Sequence, residues 1–465
     1  MQCNFILFMA FPAHIFKAYD IRGLVEGELS ETLAYALGRS FLVLLSEQGV
    51  DWHGARIVVG HDMRPSSIPF ETALIRGLTD GGADVVRIGL VSTPLFNFAC
   101  AHYDQHVAGI MVTASHNPAE YNGFKLTLGS GLPIGKNNGM DRLRELVGTT
   151  YSETEETGAV TDMDVLPEYI SKLFSLVPRE RVKPLRIVID AANGMGKATF
   201  PAWLSTLPVE VKYLYLEPDG TFPNHEANPL KTETLAELQK QVVKTGADFG
   251  FALDGDADRI GLVDEKGSVV DASFVGTLLG LEVLRKHPSA TMLYDLRQSM
   301  IVKESWESAG ASSVEKSMVG HALIKKQMKD SGAVFASELS LHLYYHDMYD
   351  VESTDLSLLY ILQMLSRETK PLSELVEPLK KYVHSGEINF EVEEKDAVIA
   401  RLKEQYAPHA TEVSELDGLW LGFEWGWFNV RASNTEPVLR LNLEAKDEVT
   451  MREKVGEVRA LILQK

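Results

Sequence analysis

Cysteine is nearly absent: the 465 residues carry two, Cys3 and Cys100. Two thiols cannot frame a disulfide-built fold in a chain of this length, so a reducing, cytoplasmic setting is expected. Long apolar runs are missing as well. The most hydrophobic stretch near the start, Phe5-Ile6-Leu7-Phe8-Met9-Ala10-Phe11-Pro12, falls short of the roughly 20 residues that a membrane-spanning helix needs. It has no basic region before it and no clean small-residue cleavage site after it. It reads as an N-terminal extension or a first strand, with Met9 as an alternative start. Positive charge is in deficit, with 45 Lys and Arg against 65 Asp and Glu and a net charge of −20. That excludes the basic field of a nucleic-acid or anionic-membrane binder. Low-complexity tracts and sustained heptads are also lacking.

What is present is an ordinary globular composition, 45% hydrophobic, spread over too long a chain for one core. Single cores stop growing at roughly 250–300 residues, and domains are commonly about 100–150, so three or four domains are expected. One order of elements recurs three times. The first copy has apolar strands at 56–62, 84–89 and 107–112. The second has them at 186–190, 209–216 and 248–253. The third has them at 291–295, 312–316 and 332–336. Short apolar runs alternating with amphipathic helical stretches read as βαβ units with mostly parallel sheets. The tail differs. A strand at 388–392, a helix at 396–406, an aromatic strand pair at 418–430, a strand at 438–444 and a helix from Asp447 suggest a smaller α+β domain. Residues 367–385, punctuated by Pro371 and Pro378, read as a connector. The expected domains are 1–158, 159–268, 269–385 and 386–465. The fold class is α/β: three similar α/β domains with mixed, mostly parallel sheets plus a smaller C-terminal α+β domain around a central cleft.

In such sheets ligands bind beyond the carboxyl ends of the strands, so the loops after the third strand of each copy carry the chemistry. One is Asp254-Gly255-Asp256-Ala257-Asp258-Arg259. Carboxylates at i, i+2 and i+4 in a tight turn can aim several oxygens at one hard cation, and crowded carboxylates repel without one. A solvated acidic turn is the bland alternative. A calcium loop is another, since Glu265 falls at its twelfth position, but Arg259 stands where that loop needs its glycine and a strand precedes it. A second loop is Thr113-Ala114-Ser115-His116-Asn117-Pro118. Ser115 is a candidate nucleophile with His116 beside it, or equally a serine in an Asn-Pro turn. Lys125 follows closely and can orient phosphate, serve as a base, or simply face solvent. Arg431-Ala432-Ser433-Asn434-Thr435 offers a guanidinium, hydroxyls and backbone donors to an anion, or is an ordinary polar turn.

Taken in order, the motifs resemble one family over nearly the whole chain. They are Phe16-Lys17-Ala18-Tyr19-Asp20-Ile21-Arg22-Gly23, the Ser115 loop, Pro218–His225, the Asp254–Arg259 loop, Ser337-Glu338-Leu339-Ser340-Leu341-His342 and Arg431–Pro437. This order is similar to that of the α-D-phosphohexomutases, in particular the phosphomannomutase/phosphoglucomutase branch. The resemblance implies four domains around a cleft, with Ser115 as the phosphoserine and a magnesium ligand alongside Asp254, Asp256 and Asp258. It implies transfer between the 1- and 6-positions of a hexose phosphate through a hexose 1,6-bisphosphate. Lys125 is then a general base or phosphate-orienting lysine, and Lys17, Tyr19, Arg22, His116 and Arg259 line the phosphoserine side. Glu338, Ser340 and His342 read sugar hydroxyls. Arg431, Ser433, Asn434 and Thr435 clamp the other phosphate, with Arg297 and His321 adding contacts. A monomer or weak dimer acting on a small hexose phosphate is expected. Phosphoglucosamine mutase, a non-catalytic sugar-phosphate binder and a phosphatase using Asp254 as nucleophile are the rivals. The family's sugar loop usually reads G-E-M-S-G-H; here Ser337 and Leu341 replace the glycines, and leucine takes φ > 0 only at a cost, so altered loop geometry and sugar specificity are expected. Ala432 replaces a common proline, a mild change.

Overall fold

The computed structural model describes residues 11–136, 138–149, 151, 156–433 and 438–464. Most of the apolar stretch at 5–12, together with Asn434 and Thr435, therefore lies outside the described residues. The chain divides into two compact units, 1–269 with 341–372, and 270–340 with 373–465.

The first unit contains two mixed sheets. One has six strands in the order Ile21–Leu24, Tyr121–Leu128, His106–Val112, Arg56–His61, Asp84–Leu90, Val160–Asp162. The last four are mutually parallel, and the first two join by antiparallel pairing. The central strands are apolar on both faces, as a sheet covered by helices requires. Its interior gathers Val59, Ile110, Val112, Phe124 and Leu126 with Leu33, Leu37 and Phe41 of the helix Glu31–Glu47. Each such side chain contributes roughly 1.5–3 kcal/mol by leaving water. Ser30 starts that helix by accepting the Leu33 N–H at 3.1 Å. The second sheet runs Val269–Val270, Ile260–Asp264, Phe249–Leu253, Leu185–Asp190, Val209–Leu214; the last three are parallel, and Ile260–Asp264 turns back antiparallel on Phe249–Leu253. These antiparallel returns create the two functional loops: 113–120 after His106–Val112, and 254–259 after Phe249–Leu253.

The second unit holds the parallel strands Ser313–Ser317, Thr291–Asp295 and Phe335–Ser337. It also holds an antiparallel sheet ordered Val383–Glu391, Val438–Ala445, Gly426–Ala432, Leu419–Phe423, Glu412–Ser414. The helices Lys395–Tyr406 and Glu448–Ile462 cover the latter's core of Leu421, Phe428, Val430, Leu439 and Leu441.

The chain departs from the sequence expectations at a few edges. The strand expected over 332–336 begins at Phe335, because Gly332 takes φ +68° and caps the helix His321–Ser331. The expected connector at 367–385 contains the helix Leu372–Val376, and the strand after it starts at Val383 rather than 388. Val160–Asp162, beyond the boundary expected at 158, hydrogen-bonds to the first sheet; Val269–Val270, beyond 268, belongs to the second.

One buried carboxylate joins three helices of the first unit. Asp355 accepts Trp203 Nε1 at 2.8 Å and the Tyr169 hydroxyl at 2.9 Å. All three side chains are fully buried, and burial pushes the Asp355 carboxyl up from its ordinary value. Asp355→Ala leaves the buried Trp203 Nε1–H unsatisfied and the Tyr169 hydroxyl with only Ser353 Oγ, 3.2 Å away, and is expected to cost about 3 kcal/mol in urea unfolding, whereas Asp355→Asn, which keeps one acceptor, should cost about 1 kcal/mol.

Candidate active site

Ser115 lies three residues beyond Val112, the buried end of a central strand, and adopts φ +51°, a left-handed conformation that costs a non-glycine roughly 1–2 kcal/mol. The surroundings hold it there. Its N–H donates to Thr113 Oγ1 at 2.9 Å. The guanidinium of Arg64, 2% exposed, donates to four carbonyls of the loop: Ser115 at 2.9 Å, Asn117 at 2.6 Å, Pro118 at 2.7 Å and Tyr121 at 2.8 Å. Asp62 pairs with Arg64 at 3.2 Å and balances its charge. Phe222 lies 5.2 Å from the guanidinium, and a Cβ at Gly220 would come within 2.6 Å of Arg64 Cα. The 218–225 motif is therefore a brace behind Arg64. Sequence reading missed Arg64; its position in His61-Asp62-Met63-Arg64, just past a parallel strand, was the available signal.

The three aspartates of 254–258 are all buried, and ligand oxygens of the three lie within 4.8 Å of one another. Asp254 Oδ1 accepts the N–H groups of Asp258 at 3.0 Å and Arg259 at 3.2 Å, which folds the loop around it. Ala257 takes φ +59° to close the turn. Lys125 reaches Asp256 Oδ2 at 2.6 Å and Asp258 Oδ2 at 2.7 Å. Thr93 Oγ1 donates to Asp256 Oδ2 at 2.6 Å, and the Thr93 N–H to the Asp256 carbonyl at 2.9 Å, at the first turn of a helix capped by Ser92. Thr93 was also missed from sequence; it is the first residue of the Thr93–His102 helix, in Ser92-Thr93-Pro94. Burial, then the neighbouring Asp258 and Asp256, push the Asp254 carboxyl well up. Burial alone would lower the Lys125 ammonium, but Asp256 and Asp258 outweigh it and raise it. The lysine is thus held as a cation, which suits orienting phosphate better than taking a proton. Asp256 Oδ1 is buried and has no hydrogen-bond partner among the described residues. An orphaned oxygen in an all-carboxylate trio fits a hard divalent cation.

The two loops meet at Ser115. Its Oγ lies 3.1 Å from Asp254 Oδ2 and 3.1 Å from His116 Nδ1. Arg259, then burial and Arg22, push the His116 imidazole well down, so the ring is neutral. A Cβ at Gly255 would fall 2.3 Å from the Ser115 carbonyl oxygen, so only glycine permits this approach. Arg22 pairs with Asp20 at 2.7 Å and donates to Asn117 Oδ1. Tyr19 is half-buried and Lys17 exposed in the loop leading to Ile21–Leu24. His342 Nε2 lies 3.2 Å from Arg259 Nε and 3.3 Å from Asp258 Oδ1, between a guanidinium and a carboxylate. Sequence reading put Ser115, His116, Lys125, Arg22, Arg259 and the aspartates on the phosphoserine and metal side and His342 with the sugar loop; the first unit brings all of them together.

The second unit assembles the others. Arg297 pairs with Asp295 and lies 3.8 Å from Glu338. Arg431, 2% exposed, has a buried Nε without a hydrogen-bond partner among the described residues, and burial and the nearby Arg297 both disfavour its charge. Arg297 and Arg431 share Glu387 as a neighbour, at 3.6 and 3.5 Å. Ser340 is half-buried, His321 opens the helix His321–Ser331, and the Ser433 N–H donates to the Val438 carbonyl. The expectation for Leu341 is half corrected: the residue does take φ +70°, as a glycine would, with its side chain 7% exposed and its carbonyl accepting the Ile260 N–H.

Comparison with known proteins matches four family descriptions along the chain. Phosphoglucomutase/phosphomannomutase alpha/beta/alpha domains I, II and III match residues 13–153, 167–267 and 272–382, and the C-terminal domain of that family matches 387–461. The chain is 38% identical to a phosphomannomutase of Methanocaldococcus jannaschii, over 96% of this chain and 97% of that protein. It is 34% identical to a phosphomannomutase/phosphoglucomutase of Pseudomonas syringae, over 95% and 93%. A crystal structure of a phosphoglucomutase/phosphomannomutase family protein from Burkholderia thailandensis superposes with a TM-score of 0.89 at 30% identity, covering 97% of each chain.

The contact at Gly255 yields a test. Gly255→Ala must displace the Ser115 carbonyl, and about 1 Å of misplacement at a reacting centre costs on the order of 100-fold in rate. Turnover is expected to fall by about that factor, while circular dichroism and melting stay close to wild type.

Proposed function

The chain belongs to the phosphoglucomutase/phosphomannomutase family, and we propose that it interconverts the 1- and 6-phosphates of a hexose, mannose or glucose, through a phosphorylated Ser115. It is an isomerase of the phosphotransferase mutase kind. The observation that carries the reading is Ser115 Oγ at 3.1 Å from Asp254, inside a buried trio of carboxylates. A phosphatase using Asp254 as nucleophile would leave the strained, Arg64-held serine without a role.

Phosphoryl transfer asks for position and charge neutralisation more than for covalent chemistry. Asp254, Asp256 and Asp258, with an oxygen from phosphorylated Ser115, would hold Mg2+, which when bound supplies charge neutralisation on the phosphate oxygens. Arg22, Lys125 and Arg259 add fixed positive charge around Oγ. In the first half-reaction a sugar hydroxyl attacks the phosphorus, the P–Oγ bond breaks, the hydroxyl proton ends on Ser115 Oγ, and a hexose 1,6-bisphosphate forms. In the second, Ser115 Oγ attacks the other phosphate of the reoriented bisphosphate, the bond from that phosphorus to the sugar oxygen breaks, and the serine proton ends on that oxygen, with His116 Nδ1 3.1 Å from Oγ beside its path. Running the step backwards returns that proton. Arg431 with Ser433, Asn434 and Thr435 would hold the phosphate that is not reacting, with Arg297 and His321 beside it. Glu338, Ser340 and His342 would bond sugar hydroxyls that are presented alike in both orientations, and Lys17 and Tyr19 would line the entrance to Ser115. The four expected domains would divide these roles between serine, metal, sugar and phosphate loops. No helix is long and apolar enough to cross a membrane among the described residues, and with two cysteines a cytoplasmic monomer or weak dimer is the setting we favour.

Intact-mass measurement of the purified enzyme is expected to show a phosphate adduct that is absent in Ser115→Ala. The variant should lose at least about 1,000-fold in turnover of mannose 1-phosphate or glucose 1-phosphate given Mg2+ and a trace of bisphosphate. An active enzyme that is never phosphorylated would overturn the mechanism. EDTA should abolish turnover, and Mg2+, more than Ca2+, should restore it.

A further inference from the structure

Arg431 and Arg440 stand directly opposite one another on the neighbouring antiparallel strands Gly426–Ala432 and Val438–Ala445. Like charges in that position repel. Arg297, from the loop after Thr291–Asp295, adds a third guanidinium. Among the described residues Glu387, on the adjoining edge strand Val383–Glu391, is the carboxylate beside all three, its oxygens 3.6 Å from Arg297, 3.5 Å from Arg431 and 3.3 Å from Arg440; Glu338 lies 3.8 Å from Arg297, and Asp417 also favours the charge of Arg431. Asp295 does not serve this purpose, because it is already committed to Arg297 through two oxygens.

Two features make the arrangement unusual for a structural ion pair. The three distances all exceed the 2.7–2.9 Å of a charge-assisted hydrogen bond. The carboxylate is thus attracted by all three arginines and seated tightly on none. Glu387 is also about a quarter exposed, while Arg431 is buried with its Nε unpartnered among the described residues. The anion can move outward and the cation cannot.

We infer that Glu387 is a resident counter-anion of the arginine cluster, displaced by the substrate's non-reacting phosphate and returning when that phosphate leaves. This rests on the proposal that Arg431 clamps phosphate. Its consequence is specific to a mutase. Between the two half-reactions the bisphosphate must release the clamp and be gripped again by its other end. Without Glu387 the cluster would hold phosphate too firmly; a carboxylate ready to replace the phosphate lowers affinity and speeds release. Glu387 is therefore a positioning residue: it sets how tightly the arginines grip and touches no reacting atom.

The test compares wild type, Glu387→Gln and Glu387→Asp by melting in a titration of inorganic phosphate, and by kcat and KM for glucose 1-phosphate with Mg2+ and a trace of bisphosphate. Removing one partly exposed charge from the cluster should change phosphate affinity by about fivefold. Glu387→Gln should melt lower than wild type without phosphate, gain more on adding it, and half-saturate at about one-fifth the concentration. Its KM should fall and its kcat fall with it, and both differences should shrink in high KCl. Glu387→Asp, which keeps the charge, should lie between and guards against a folding defect in the amide. If Glu387→Gln binds phosphate no more tightly, or raises KM at unchanged kcat, Glu387 merely holds the arginines in place and the inference fails. If wild type turns over no hexose phosphate yet Glu387→Gln still gains phosphate affinity, the counter-anion stands and the mutase reading fails.

Discussion

Three carboxylates in one buried turn are the constraint around which the first unit is built. Unit charges about 4 Å apart in a protein interior repel by several kcal/mol, and Asp254, Asp256 and Asp258 have ligand oxygens within 4.8 Å of one another. The fold meets this locally. Two backbone N–H groups point at Asp254, Thr93 and Lys125 point at Asp256, and Lys125 also reaches Asp258. What these partners leave open is a buried oxygen on Asp256 and an electronegative centre beside a serine. The site is therefore incomplete in charge but complete in geometry. That is the condition for receiving a cation and a phosphate without rearranging the protein, and so for electrostatic stabilisation of transfer.

The serine loop pays for this with strain, and Arg64 is what holds it. A guanidinium with five donors in a rigid fork can bind several carbonyls at once, where lysine could not. Four of the carbonyls it binds belong to the segment 115–121. The net charge of −20, which looks hostile to an anionic substrate, is a surface average. Around Ser115 four cations, Arg22, Lys125, Arg64 and Arg259, each buried or nearly so, stand among the carboxylates. In the second unit Arg297, Arg431 and Arg440 gather around Glu387.

Much of the site was legible because its chemistry is local in sequence. Aspartates at i, i+2 and i+4, and a serine just past a strand, need no knowledge of tertiary structure. Most strand positions were legible too, since buried parallel strands read as short apolar runs. What was not legible is long-range. Arg64 acts on residues more than fifty positions away, Thr93 on an aspartate 163 positions away. Glu387 sat at the edge of an expected connector, because strand Val383–Glu391 is largely exposed and polar at its start and carries no apolar run there. A polar edge strand reveals itself only through its partner, here Val438–Ala445.

Leu341 shows how far a residue type constrains a loop. The left-handed conformation costs leucine roughly 1–2 kcal/mol relative to glycine. Burying its side chain to 7% exposure returns roughly 2 kcal/mol, and its carbonyl accepts the Ile260 N–H at the foot of the 254–259 loop. The two terms nearly cancel. Glycine is thus one of two solutions at this position: it avoids the strain, and leucine accepts the strain in exchange for an apolar anchor. The leucine solution ties the backbone before His342 to the strand after Arg259, the same arginine that lies 3.2 Å from His342. An anchored backbone of this kind fixes His342 against Arg259 by geometry and not by loop flexibility.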